Sequence, residues 1–365
     1  MNKLYLLLFS FSIFIFGLFF GNLDIFQQNA ILLLDIVNND KQNKTYEYFE
    51  NDVDKLIKIR TLEEVVDKKN EIKKFIWKNK IPYTSSIEII NDYDDSRYSD
   101  IDNLDSIIKF SIKMDYDIIS NGYLFLPKDS NDNIIIYHEG HAGDFIHGKQ
   151  YIEFFISKNN PVFALSMPLS TFNNQPIIDL ENFGKIKFFS HNQLSLLENE
   201  NFSPMYYFVE PIGTSLNYLE KNYDFKTFNM VGISGGGWST LIFSAIDDRI
   251  DHAFSIAGSL PIFMRTQSSD LGDYEQFNPS FYKIVNYLDL YILASYGKDR
   301  IFYQITNSND PCCFAGNLSD IYNEDISLII KNLNDGNFSN IIDTNSNHNI
   351  SKKILEMIDK KINSN

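Results

Sequence analysis

The chain has 365 residues, enough to bury a large core in one big α/β domain or two smaller ones. Its 44% hydrophobic and 22% charged content is that of a globular protein and excludes a disordered one. A net charge of −16 repels a nucleic-acid backbone or an anionic lipid surface, which sets nucleic-acid binding aside.

Met1-Asn2-Lys3 leads into a nearly unbroken apolar run over residues 4–20. A helix apolar on every side at the N-terminus reads as an export signal over residues 1–21, kept as a membrane anchor or cleaved. Lys3 before the run and Asp24 after it place the N-terminus in the cytoplasm and the body outside, so the body is expected to be extracytoplasmic. Residues 22–105 form a polar, charged lead-in. Within it Leu62, Val65, Val66, Ile72, Phe75 and Ile76 recur at helical steps, which predicts a helix lying on the catalytic domain or spacing it from the membrane. Residues 91–103 read as a solvated loop.

The catalytic domain is expected over residues 106–365. Alternating apolar positions predict strands over 108–114 and 118–126, joined as an antiparallel hairpin and stopped by Pro127. Strand-like runs at 134–137, 162–165, 228–231, 253–257, 301–306 and 341–343 follow. Helix-like runs at 148–158, 204–220 and 351–362 lie between and after them. A hairpin followed by β-α repeats implies an α/β class with a mostly parallel twisted sheet of about eight strands and helices on both faces. Two aromatic-rich inserts, 169–203 and 259–289, fall where loops would overhang the carboxyl edge of that sheet.

The chain is organised around Gly232-Ile233-Ser234-Gly235-Gly236, a G-x-S-x-G between the run 228–231 and a helix from Trp238. Such a turn holds its serine in a strained conformation clear of the sheet, and the following helix aims free N–H groups at the same spot. Ser234 is therefore the candidate nucleophile. A serine needs a base, and the base an orienting acid. Of six histidines, His348 lies in a polar loop after the last strand, from which it can swing over Ser234. Asp310 follows the strand 301–306 in a turn fixed by Pro311, on the ligand side of the sheet, with Asp320 and Asp325 as alternatives further along. His191 lies in an insert and can line the pocket. For the oxyanion, the backbone N–H of Gly235 supplies one donor, and that of His141, in His138-Glu139-Gly140-His141-Ala142-Gly143, the other. No metal and no cofactor is called for. The cysteines, Cys312 and Cys313, exclude a disulfide framework and read as two small buried thiols rather than a vicinal disulfide.

Together the loop 134–143, Gly232 to Trp238, Asp310 and His348 resemble the α/β-hydrolase superfamily, in its dienelactone-hydrolase-like and acetyl-xylan-esterase-like branch of bacterial esterases. The resemblance runs from about residue 107 to the C-terminus, and the lead-in with Trp77 and Pro82 is also similar. It implies Ser234 as nucleophile, Asp310 as acid, His348 as base, and hydrolysis of a small-molecule or glycan-borne ester. In that branch the loop usually begins His-Gly, and here Glu139 stands in place of that histidine.

Two other classes are weighed against this. His138-Glu139-Gly140-His141 superficially resembles the zinc motif H-E-x-x-H, but its histidines are three apart and follow a strand, whereas a zinc helix needs i and i+4. A catalytically silent binding protein on the same fold would usually have lost the serine, acid or histidine, and candidates for all three remain. Amide cleavage and acyl transfer share the acyl-enzyme with ester hydrolysis and stay open.

Overall fold

The computed structural model describes residues 51–141, 143–265 and 270–363. The apolar run 4–20, on which the export and anchor reading rests, lies outside them. Among the described residues no helix is long and apolar enough to cross a membrane.

The described residues form eleven strands, labelled in chain order. They are β1 (Ser86–Ile90), β2 (Leu104–Lys113), β3 (Ile119–Pro127), β4 (Asn133–His138), β5 (Val162–Leu165), β6 (Ile177–Leu180), β7 (Gly184–Lys187), β8 (Thr227–Ile233), β9 (Ile250–Ile256), β10 (Ile301–Asn307) and β11 (Asn337–Asp343). Nine form one sheet in the order β1-β2-β3-β5-β4-β8-β9-β10-β11, and β6 and β7 pair as a separate ribbon inside the first insert. From β5 through β4, β8, β9 and β10 to β11 every pairing is parallel. β1, β2 and β3 are antiparallel and finish one edge.

The sheet is covered on both faces because its strands alternate between two apolar cores. Ile134 and Ile136 of β4, with Phe228 and Met230 of β8, face one core, which holds helices Leu62–Trp77, Tyr206–Asn222, Gly235–Ile246 and Tyr287–Ser295. Ile135, Tyr137, Val231 and Ile233 face the other, with helices Lys149–Ser157 and Lys352–Asn363.

Two features differ from the sequence expectation. The sheet has nine strands, because β1 arises inside the charged lead-in: its exposed-intermediate alternation shows no run of buried residues, and only pairing with β2 defines it. The 91–103 stretch is not wholly solvated, since Tyr98 is fully buried against Phe125 and Tyr123. The lead-in is fastened to the body by Glu210, fully buried in helix Tyr206–Asn222. Its carboxylate accepts from the Trp77 indole (2.7 Å) and from the backbone N–H groups of Tyr83 (2.8 Å) and Ser85 (2.9 Å).

Candidate active site

Ser234 sits at the abrupt turn from β8 into helix Gly235–Ile246, with φ 56° and ψ −124°, a conformation that costs a non-glycine residue energy. The turn is fixed from both sides: Ser234 N–H donates to Ile256 O of β9 (2.8 Å), and Trp238 N–H donates to Ser234 O (3.1 Å) as the helix begins. Glycine is required here for a steric reason. A Cβ on Gly232 would lie 2.1 Å from Gly236 O, and one on Gly236 would lie 2.0 Å from His138 O. Gly235, Gly236 and Gly237 precede the first helical hydrogen bond, so their N–H groups have no partner within the helix.

The loop after β4 presses against this turn. A Cβ on Gly140 would fall 2.7 Å from Ser234 Cβ and 3.3 Å from its Oγ, and one on Gly235 would fall 2.5 Å from the His141 ring. Glu139 is buried. Its carboxylate accepts from the Tyr137 hydroxyl (2.6 Å) and from Gly140 N–H (2.9 Å), so that amide is engaged and the His141 N–H is the next along the loop. Burial pushes the Glu139 carboxyl above its ordinary range, against the pull of those two donors. The stretch is no chelate: His138 is buried, its Nδ1 lies 2.9 Å from Glu139 O, and burial lowers its pKa to about 4.

Asp310 and His348 are brought together. His348 Nδ1 lies 3.0 Å and 2.8 Å from the two Asp310 carboxylate oxygens. Cys312 N–H (2.9 Å) and the Asn307 amide (3.2 Å) also donate to Asp310. Burial raises the Asp310 carboxyl, but the hydrogen bonds from His348, Cys312 and Asn307 outweigh it and hold it below the ordinary value. The alternatives lie elsewhere: Asp320 opens a helix and accepts from Asn340, and Asp325 is on that same helix. Ser234, Asp310 and His348 all follow the carboxyl ends of strands in the parallel part of the sheet, β8, β10 and β11. No hydrogen bond joins Ser234 Oγ to His348, a contact that often tightens only when substrate is bound.

Two residues in the site carried no sequence signal. Asn307, the last residue of β10, is buried and donates to Asp310 and to the carbonyls of Asn347 (3.0 Å) and Asn349 (3.2 Å), so it ties the acid to the loop bearing His348. Glu275, fully buried in the second insert, lies 2.8 Å from His141 Nε2. The cysteines depart from expectation. Cys312 and Cys313 are joined as a vicinal disulfide, and Cys312 is exposed, because Asp310 caps the Cys312 N–H and folds the turn at the surface.

Compared as a sequence, the chain matches no protein-family profile and no curated protein. Its structure is similar to several solved ones. An acetyl xylan esterase from Paenibacillus sp. R4 is 14% identical with a TM-score of 0.53, covering 85% of this chain and 97% of that one. Acetyl xylan esterase 1 from Thermoanaerobacterium sp. JW/SL YS485 is 12% identical with a TM-score of 0.52, covering 87% and 100%. A glucuronoyl esterase from Solibacter usitatus is 9% identical with a TM-score of 0.58, covering 82% and 91%. The fold is thus the α/β-hydrolase fold of these esterases.

Proposed function

We propose that the chain is a serine esterase of the α/β-hydrolase type, hydrolysing a carboxylic ester through an acyl-enzyme. The observation that carries this reading is the hydrogen-bonded Asp310–His348 pair at the same sheet edge as a serine held at positive φ. Ser234 Oγ attacks the ester carbonyl and His348 Nε2 takes its proton, while Asp310 holds Nδ1–H and stabilises the imidazolium. The oxyanion is received by the backbone N–H groups of Gly235 and His141. His348 then returns the proton to the departing alcohol, and water repeats the sequence on the acyl-enzyme.

The similar solved structures are esterases of xylan-borne acetyl and of glucuronoyl groups, which favours a glycan-borne or small-molecule ester here. The N-terminal apolar run supports an extracytoplasmic, exported or anchored enzyme. The test is fluorophosphonate labelling with intact-mass mapping, followed by turnover of p-nitrophenyl esters. The wild type is expected to take one label at Ser234 and to hydrolyse short-chain esters, and Ser234→Ala to do neither while remaining folded. An unlabelled wild type removes the reading; labelling without ester turnover redirects it to an amide or to acyl transfer.

A further inference from the structure

Four chelating side chains meet beside the Ser234 turn, drawn from three separate stretches of chain. His141 comes from the loop after β4, His191 from the turn His191–Leu197 in the first insert, and Asp273 and Glu275 from the second insert. One ligand atom from each lies within 4.8 Å of all the others. His141 Nε2 is 2.8 Å from Glu275 Oε1 and 3.4 Å from Asp273 Oδ2. His191 Nδ1 is 3.2 Å from Glu275 Oε2 and 4.0 Å from Asp273 Oδ2. A tetrahedral zinc ion with ligands at about 2.0–2.1 Å requires ligand-to-ligand edges of roughly 3.4 Å. The separations lie on either side of that length, and since two of them run to different Glu275 oxygens, the Glu275 carboxylate turns to bind through one.

A second observation points the same way. His191 Nε2 lies 2.8 Å from the Pro168 carbonyl, which can only accept, so Nε2 carries a proton and Nδ1 is the nitrogen turned toward Glu275. Nδ1 lies 3.2 Å from Glu275 Oε2, yet no aligned hydrogen bond joins them. Both atoms are buried without a hydrogen-bond partner among the described residues. His191 is 7% exposed and Glu275 is 0% exposed, so bulk water does not satisfy either atom. Among the described residues neither Asp273 nor Glu275 pairs with a lysine or arginine. The outer contacts also suit a metal: the Pro168 carbonyl orients His191, and Asn192 donates to Asp273 (3.4 Å). Asp273 and His141 are partly exposed, which leaves an entry path.

We propose that His141, His191, Asp273 and Glu275 form a site for one divalent ion of the zinc class, which fastens the two inserts to the loop after β4. Two carboxylates balance the ion's charge and two neutral imidazoles complete a tetrahedral shell. The ion holds the His141 ring against Gly235 and so fixes the backbone N–H assigned above to the oxyanion; this role, though not the site itself, rests on the esterase reading. It departs from the sequence expectation of no metal, and the chelate it uses is not the His138-Glu139 pair but a set that only the fold assembles.

The test uses the purified full chain, stripped with a chelator and titrated with Co2+ and then Zn2+. One equivalent of Co2+ is expected to bind with the visible spectrum of tetrahedral cobalt and to be displaced by Zn2+. His191→Gln and Glu275→Gln should each weaken binding by more than the roughly tenfold to hundredfold that loss of an outer-shell partner costs. Asp273→Asn, at a partly exposed position, covers the case in which the buried variants do not fold. No stoichiometric uptake, or uptake unchanged in all three variants, overturns the site. The fluorophosphonate labelling rate at Ser234 is expected to fall at least tenfold in stripped protein and to return with Zn2+; an unchanged rate with metal bound overturns the fastening role. If labelling is absent in both states while cobalt still binds, the esterase reading fails and the metal site stands.

Discussion

Asn307→Leu isolates the contribution of the amide that joins the acid to the histidine loop. Leucine keeps the branched shape of the side chain and removes its two N–H donors, which reach Asp310 Oδ2 at 3.2 Å, Asn347 O at 3.0 Å and Asn349 O at 3.2 Å. Asp310 keeps His348 and the Cys312 N–H, so the carboxylate is not orphaned. What it loses is one long charge-assisted bond, near the low end of about 1.5–3 kcal/mol. The two carbonyls belong to a partly exposed loop and can turn toward water, so the total loss of stability is about 2–3 kcal/mol. The share that reaches the reaction is the part that held His348 in place, about 1.4 kcal/mol, or tenfold in rate. The assay is kcat for p-nitrophenyl acetate beside the labelling rate of Ser234 by a fluorophosphonate, with urea unfolding to measure stability. Both rates should fall about tenfold and KM should stay within about twofold, since the substrate's own contacts are untouched. A folded variant that is destabilised but turns over and labels at the wild-type rate would refute the positioning role.

Glu210→Ala strands the buried Trp77 indole and the partly buried Tyr83 and Ser85 amides; at about 1–3 kcal/mol for the indole and about 1 for each amide the cost is about 3–5 kcal/mol, read as a lowered urea midpoint. Gly140→Ala places a methyl 2.7 Å from Ser234 Cβ and 2.8 Å from Ile233 O, so labelling and turnover should drop more than about tenfold and the stability read from the thermal transition should fall by about 1–3 kcal/mol, the cost of overpacking; an unaffected rate would mean that the loop gives way. The buried His138 titrates at about 4 when folded and at its ordinary value of 6.5 when unfolded. Between those pH values the unfolded chain takes up a proton that the folded one refuses, so stability falls as pH drops through that window, by about 3 kcal/mol in all. Urea unfolding of wild type and His138→Asn at neutral pH and near pH 4 should show the wild type losing that much more.

Much of the frame was legible in the sequence because its signals are local. Alternating apolar positions mark β2 and β3, and short apolar runs mark β4, β5 and β8 through β10, within a few residues, while the glycines around Ser234 encode the abrupt turn. Asp310 was legible for the same reason, since Pro311 fixes the turn that carries it. β1, by contrast, has no buried face of its own and exists only by pairing with β2.

The amino-acid order alone thus determines the serine turn, the alternation of strands and helices, and the candidate acid and histidine at the ends of their strands. Tertiary structure alone decided that Asn307 bridges that acid to the histidine loop, that Glu210 fastens the lead-in, and that His141, His191, Asp273 and Glu275 converge. Local sterics and periodicity act over a few residues and leave a pattern in the chain. A contact such as His141 to Glu275, 134 positions apart, leaves none, because it depends on where the sheet sends each loop.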